Sequence, residues 1–222
     1  MKPLAVRRCL ARGMLAGSLL IAGASGASPA QVDKQVRSTM QLRANIQHGN
    51  QLYARLCLSC HGPAALGDAV NVVPSLASQN RAYLVKQLAD FAALERSADA
   101  HEGILRPAGS RTQAWADIAA YLAALPPMRF PESGDGSAVE AGEDAFKRQC
   151  AACHGDDARG DADAFVPSLR NQHYSYLVRQ VRSIAAWHRL DVDSDLVRLF
   201  NGMETEDLVA IADYLSRLRD VD

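Results

Sequence analysis

The 222-residue sequence predicts an all-α protein built from two small helical domains in tandem. Three observations carry this expectation. Apolar residues recur at helical spacing and no hairpin signal stands out. The second half of the chain repeats the first, at an offset of 93 positions and without a gap. A stretch rich in turn formers, Pro126-Pro127-Met128-Arg129-Phe130-Pro131-Glu132-Ser133-Gly134-Asp135-Gly136, separates the two copies. A solenoid would need at least about three repeats to bury its faces, so two units read as two separate domains.

Residues 1–30 read as a secretory signal peptide. They carry Lys2, Arg7, Arg8 and Arg12, no acid, an apolar run from Leu15 to Ala24, and then small residues that allow cleavage after Ala27 or Ala30. Export to the periplasm is therefore expected, an uncleaved membrane anchor being the other reading of this segment. Residues 31–43 form an N-terminal extension, 44–125 the first domain, 126–137 the linker, which looks like a semi-rigid connector, and 138–222 the second domain.

Each domain opens on a helix in which Ile46, Gly49, Tyr53 and Leu56, or Val139, Gly142 and Phe146, share a face. Glycine inside a helix costs about 1 kcal/mol relative to alanine, a cost that close approach of another helix would offset. A middle helix starts near Tyr83 and again near Tyr176. The last helix carries Trp115, Ile118, Ala119, Leu122 and Leu125, matched by Leu208, Ile211, Ala212, Leu215 and Leu218. Thr205 is expected to cap the second copy, with Glu206 and Asp207 favoured by the helix dipole. The matched segments include Pro74-Ser75-Leu76 with Pro167-Ser168-Leu169, Gln79 with Gln172, Arg96 with Arg189, and Tyr121-Leu122 with Tyr214-Leu215.

Composition narrows the function. The chain holds 24 Lys and Arg against 25 Asp and Glu, which argues against a nucleic-acid binder. Without the four basic residues of the leader, 20 bases face 25 acids, and the exported part is mildly acidic. No apolar stretch after residue 30 is long enough to span a membrane. Aromatic content is low at 6%, which hints at another large apolar body in each core.

Of five cysteines, Cys9 leaves with the leader. The other four form Cys57-Leu58-Ser59-Cys60-His61 and Cys150-Ala151-Ala152-Cys153-His154. In an exported protein such pairs read as disulfides, redox dithiols or a zinc site, but a following His makes each a c-type haem attachment signature. Two thiols three positions apart on a helical turn lie along one edge of a porphyrin and add to its two vinyl groups. The adjacent His then reaches the iron as proximal ligand. Zinc pairs lie about 12–20 residues apart, far closer than these.

With these residues in view, the chain resembles a duplicated class I cytochrome c, most closely the two-domain di-haem cytochrome c4 group. The resemblance runs through the Gly-to-aromatic first helix, CxxCHG, the Pro-Ser-Leu turn, the Gln-x-x-x-Tyr-Leu helix start and the final Ala-x-Tyr-Leu helix. It implies two covalent haem c groups with iron, held by Cys57, Cys60 and His61 and by Cys150, Cys153 and His154. It also implies that the Pro74 and Pro167 carbonyls bond the proximal histidines, and that Gly49/Tyr53 and Gly142/Phe146 mark the crossing of first and last helices. The implied role is single-electron transfer between redox partners, from a quinol-oxidising complex or a dehydrogenase to a terminal oxidase or reductase, without substrate chemistry of its own.

The sequence departs from that group on the distal side. The usual Met is missing from Gly103-Ile104-Leu105-Arg106 and from Leu196-Val197-Arg198-Leu199. Met203 is one distal candidate, and its repeat partner is Ser110. His101 is the candidate in the first unit. Met40 and Met128 lie outside the usual loop, and His173 and His188 are available in the second unit. An open iron in either unit would instead favour a haem enzyme or a small-ligand sensor. The acids around the second motif, Glu140, Glu143, Asp144, Asp156, Asp157, Asp161 and Asp163, read either as a solvated surface or, under the electron-carrier reading, as a docking face for a basic partner.

Overall fold

The computed structural model describes residues 29–96, 101, 112–189 and 191–220. Most of the expected leader therefore lies outside the described residues, as do the Gly103–Arg106 window and Ser110. Ten helices are present among the described residues, with no strand beyond the single bridges Asp68–Val73 and Asp161–Val166.

The first domain contains α1 (Pro29–Met40), α2 (Ile46–Leu56), the single turn α3 (Leu58–His61), α4 (Arg81–Ala93) and α5 (Thr112–Ala123). The second contains α6 (Val139–Gln149), the turn α7 (Ala151–His154), α8 (Tyr174–Ala185), α9 (Ser194–Asn201) and α10 (Thr205–Leu215). The expected all-α duplication is what forms.

The crossing of first and last helices organises each domain. A methyl group on Gly49 would lie 2.1 Å from the Asp117 carbonyl oxygen of α5, and one on Gly142 would lie 2.0 Å from the Ala210 carbonyl oxygen of α10. Both distances are below any tolerable contact, so only glycine lets these backbones meet. One turn on, Tyr53 stacks obliquely on Tyr121 at 5.5 Å between ring centres, and Phe146 on Tyr214 at 5.7 Å. These aromatic pairs seal the crossing that the glycines open.

Two expectations need correction, and two segments make contacts that their composition did not show. Residues 31–43 are more than an extension, because α1 packs on α4 and α5 and buries Val32, Val36 and Thr39. Their apolar residues face the first core. The linker is tied to its neighbours as well. Glu132 accepts the Tyr174 N–H at 3.0 Å and the Ser175 N–H at 2.8 Å, and Gly136 N–H donates to Asp213 at 3.0 Å. Its later half is thus fastened to the second domain. Ile46, placed on the buried face by spacing, is 51% exposed in the first turn of α2. Thr205 is the first residue of α10, not its cap; Glu204 precedes it in extended conformation and makes no side-chain capping bond.

The second core is divided. One cluster gathers Ala145, Phe146, Leu177, Ile211 and Leu215, the other Val181, Ile184, Val197, Phe200 and Leu208. Met203 packs against both.

Candidate functional site

Both CxxCH motifs form the same local structure. The chain leaves the first helix of each domain at Cys57 or Cys150 and makes one helical turn. His61 N–H donates to the Cys57 carbonyl at 3.0 Å, and His154 N–H to that of Cys150 at 3.0 Å. Cys57 and Cys60 are thereby one turn apart on one face, as are Cys150 and Cys153. The four cysteines carry no disulfide among the described residues. Burial pushes the Cys57 and Cys150 thiols up to about 11, while Cys60 and Cys153 are exposed.

The histidines of the two motifs, His61 and His154, are oriented by the loop that follows. The short bridges turn it back so that the Pro74 carbonyl accepts from His61 Nδ1 at 3.1 Å, and the Pro167 carbonyl from His154 Nδ1 at 3.2 Å. A carbonyl can only accept, so Nδ1 carries the proton and Nε2 keeps a free lone pair. A metal-ligating His holds its orientation this way. Burial lowers the pKa of both rings, with the carbonyl bonds opposing it, which keeps them neutral and able to ligate.

The next residues join the two sites. Gln172 accepts the Ser75 N–H at 2.9 Å and donates to the Ser75 carbonyl at 3.0 Å. Gln79 accepts the Ser168 N–H at 2.9 Å and donates to the Ser168 carbonyl at 2.9 Å. The two clasps are repeat equivalents. Each holds the residue immediately after the proline that orients the other domain's histidine. Beside them Asn80 donates to the Val166 carbonyl at 2.9 Å, and His173 Nε2 to the Leu66 carbonyl at 3.0 Å. The pairing of the Gln-Ser repeat across domains was not read from the sequence, although its regular recurrence was the available signal.

The distal candidates separate. His101 lies opposite His61, with ring centres 6.2 Å apart, and stacks on Phe91 at 4.4 Å. Its Nδ1 is buried and has no hydrogen-bond partner. Burial, with His61 and Arg96 nearby, pulls its pKa down to about 4. His173 is not available as a ligand, because Nε2 holds Leu66 and Nδ1 accepts the Glu132 N–H at 3.2 Å. His188 is exposed at the end of its segment and faces away from the core. Met40 packs against the first core, and Met128 is buried in the linker. The Leu196–Leu199 window is part of α9, where Val197 enters the distal cluster.

The donor sets fit haem: in each domain a neutral His with a free nitrogen follows two thiols on one turn, and in the first a second imidazole ring lies 6.2 Å from it with its Nδ1 unpartnered. A cytochrome c family model matches the chain twice, over residues 46–126 and 139–219. The chain belongs to the cytochrome c family. This cytochrome is 31% identical over 183 residues to cytochrome c4 of Azotobacter vinelandii, covering 74% of the chain and 85% of that relative. It is 29% identical over 199 residues to a thiosulfate dehydrogenase electron acceptor of Stutzerimonas stutzeri strain A1501, covering 81% and 90%. Its fold superimposes on the crystal structure of reduced recombinant cytochrome c4 from Pseudomonas stutzeri with a TM-score of 0.70 at 27% identity, covering 79% of this chain and 100% of that one. It therefore carries two covalent haem c groups and works as an electron carrier, not an enzyme. No described helix is long and apolar enough to cross a membrane.

Proposed function

We propose that this cytochrome carries single electrons in the periplasm from a dehydrogenase of the thiosulfate-oxidising kind to a downstream oxidase or reductase. Each bound haem supplies a one-electron iron couple. Cys57 and Cys60 anchor the first by thioether bonds, and Cys150 and Cys153 the second. His61 and His154 are the proximal ligands, held by Pro74 and Pro167. Met203 is the distal ligand of the second, supported by its position between the two halves of that core.

The observation that carries this reading is the reciprocal Gln-Ser clasp. It couples the backbone behind one proximal His to the backbone of the other domain, so the two sites keep a constant relation while partners come and go. Rigid spacing is what intramolecular electron relay needs, because no reorganisation of the domains then accompanies transfer. Cys60 and Cys153 are exposed, which brings an edge of each site toward the surface. The relative named as an electron acceptor of thiosulfate dehydrogenase supports the choice of donor.

The test is stopped-flow reduction of the purified holo-protein by a thiosulfate dehydrogenase with thiosulfate. Both haems are expected to be reduced within a few turnovers. If a chemical reductant reduces both haems but the dehydrogenase reduces neither, the proposed donor is wrong.

A further inference from the structure

We propose that His101 is the sixth ligand of the first haem iron, so that His61 and His101 hold it from opposite faces. This rests on the reading of Cys57, Cys60 and His61 as the first haem's attachment. Metal–imidazole bonds of about 2 Å, plus roughly 1 Å from each nitrogen to its ring centre, put trans imidazole centres about 6 Å apart. The observed separation of His61 and His101 is 6.2 Å. Two imidazoles in direct contact would stack closer or share a hydrogen bond, and these do neither. The ring is also held in place. Phe91 of α4 stacks on it at 4.4 Å, and the Arg96 guanidinium lies 4.8 Å from the centre of the same phenyl ring. Arg96 is fixed in turn across the interface to Tyr176 at 3.0 Å and Gln180 at 3.1 Å.

A buried imidazole nitrogen without a partner costs free energy unless something takes its lone pair or proton. His101 Nδ1 is such an atom, so one nitrogen of this ring is left without a partner in the protein. The second domain offers no equivalent. The repeat partner of His101 is Ser194, at the start of α9, and that of Phe91 is Ile184. The two irons are therefore ligated differently. An imidazole donates more electron density than a thioether and favours the ferric state, whereas Met ligation raises the potential. The first haem is the lower-potential one, and an electron entering there runs downhill to the second.

The experiment compares the ferric and reduced holo-protein with H101A, H101M and M203L. Paramagnetic resonance and near-infrared magnetic circular dichroism count the ligand types, and carbon monoxide uptake counts open irons. The wild type should show one bis-imidazole haem among two. H101A should convert one haem to high spin and take up one carbon monoxide per protein. H101M should restore the low-spin state, add one thioether-to-iron band and raise one potential, which keeps the inference testable if H101A folds poorly. M203L should leave the bis-imidazole signal intact. Two low-spin haems and no carbon monoxide uptake in H101A would overturn the proposal, as would the absence of a bis-imidazole signal in the wild type. Neither result touches the attachment itself. That reading fails separately, if mass spectrometry finds fewer than two covalent haems.

Discussion

The first and second domains share a backbone but not a surface. At the helix crossing the two are interchangeable: Gly49 meets α5 as Gly142 meets α10, each backed by an aromatic pair. Around the haem motifs they diverge. Where the second domain carries the exposed acids Asp156, Asp157 and Asp163, the first has Pro63, Ala64 and Val70, the last 90% exposed. His101 stands where the second domain has Ser194, and Met203 where the first has Ser110. The anchors of the domain entrances differ as well. Buried Asp117 on α5 accepts from Asn45, His48 and Gln113, whereas Asp213 on α10 accepts from Gly136 and Arg217. Duplication kept what two crossing helices require and let the residues around the two motifs diverge.

The largest effect expected is on the shared part. A methyl added at Gly49 or Gly142 has nowhere to go but into a backbone carbonyl, and overpacking of this kind costs about 3 kcal/mol or more. G49A and G142A should each lower the unfolding midpoint of their own domain by a similar amount in denaturant titrations of the holo-protein. Unequal losses would show that the two crossings are not equivalent.

The clasps come next. Removing Gln172 or Gln79 leaves a serine N–H and carbonyl without their partner, at about 1–3 kcal/mol for each buried group. Q172A should be the more damaging of the two, because Gln172 and Ser75 are buried while Gln79 and Ser168 are only half-buried. Domain separation read by small-angle scattering, alongside unfolding, would rank them. Equal behaviour would mean that the interface draws its strength from elsewhere.

A smaller difference should appear in acid. Burial pushes the Asp117 carboxyl up, but the Asn45 N–H, His48 and Gln113 more than offset it, and its pKa lies below the ordinary 3.8. A depressed carboxylate contributes stability that is present above its unfolded value and lost as pH falls through the folded one. The second domain has Ala210 at that repeat position. D117N should therefore lower the stability of the first domain at neutral pH, by about 1 kcal/mol, and flatten its acid dependence. Thermal melts between pH 3 and 7, on the order of the ordinary carboxylate range, would check this.

The smallest free-energy change, and the one most visible in kinetics, concerns the exposed acids. Surface charges alter stability little but steer encounters. Replacing Asp156, Asp157 and Asp163 by Asn should slow association with a basic partner at low salt and erase most of its ionic-strength dependence. The same exchange around the first motif has no charges to remove. A salt dependence that survives the triple substitution would move the docking face away from the second domain.

Much of this was readable in the chain. Cys57, Cys60 and His61 and their copies are local: one helical turn sets their relation, so spacing alone marks them as a haem-attachment signature. The helix-crossing glycines were legible because glycine in an apolar helical stripe needs a reason. The fate of α1 and of the linker was not, since both carry mixed composition and become ordered only against a neighbouring core. The distal side was the least legible. His101, His173 and His188 look alike as letters, and only packing separates them. One faces His61, one spends both nitrogens on Leu66 and Glu132, and one lies in solvent.

The sequence by itself determined the duplication, the helical class and the covalent haem attachment, because each depends on residues within a few turns of one another. Tertiary structure alone decided which side chain stands opposite His61 and how Gln79 and Gln172 trade serines across the two domains. Those contacts join positions from 40 to 97 residues apart, and the chain between them has to fold before such partners can meet.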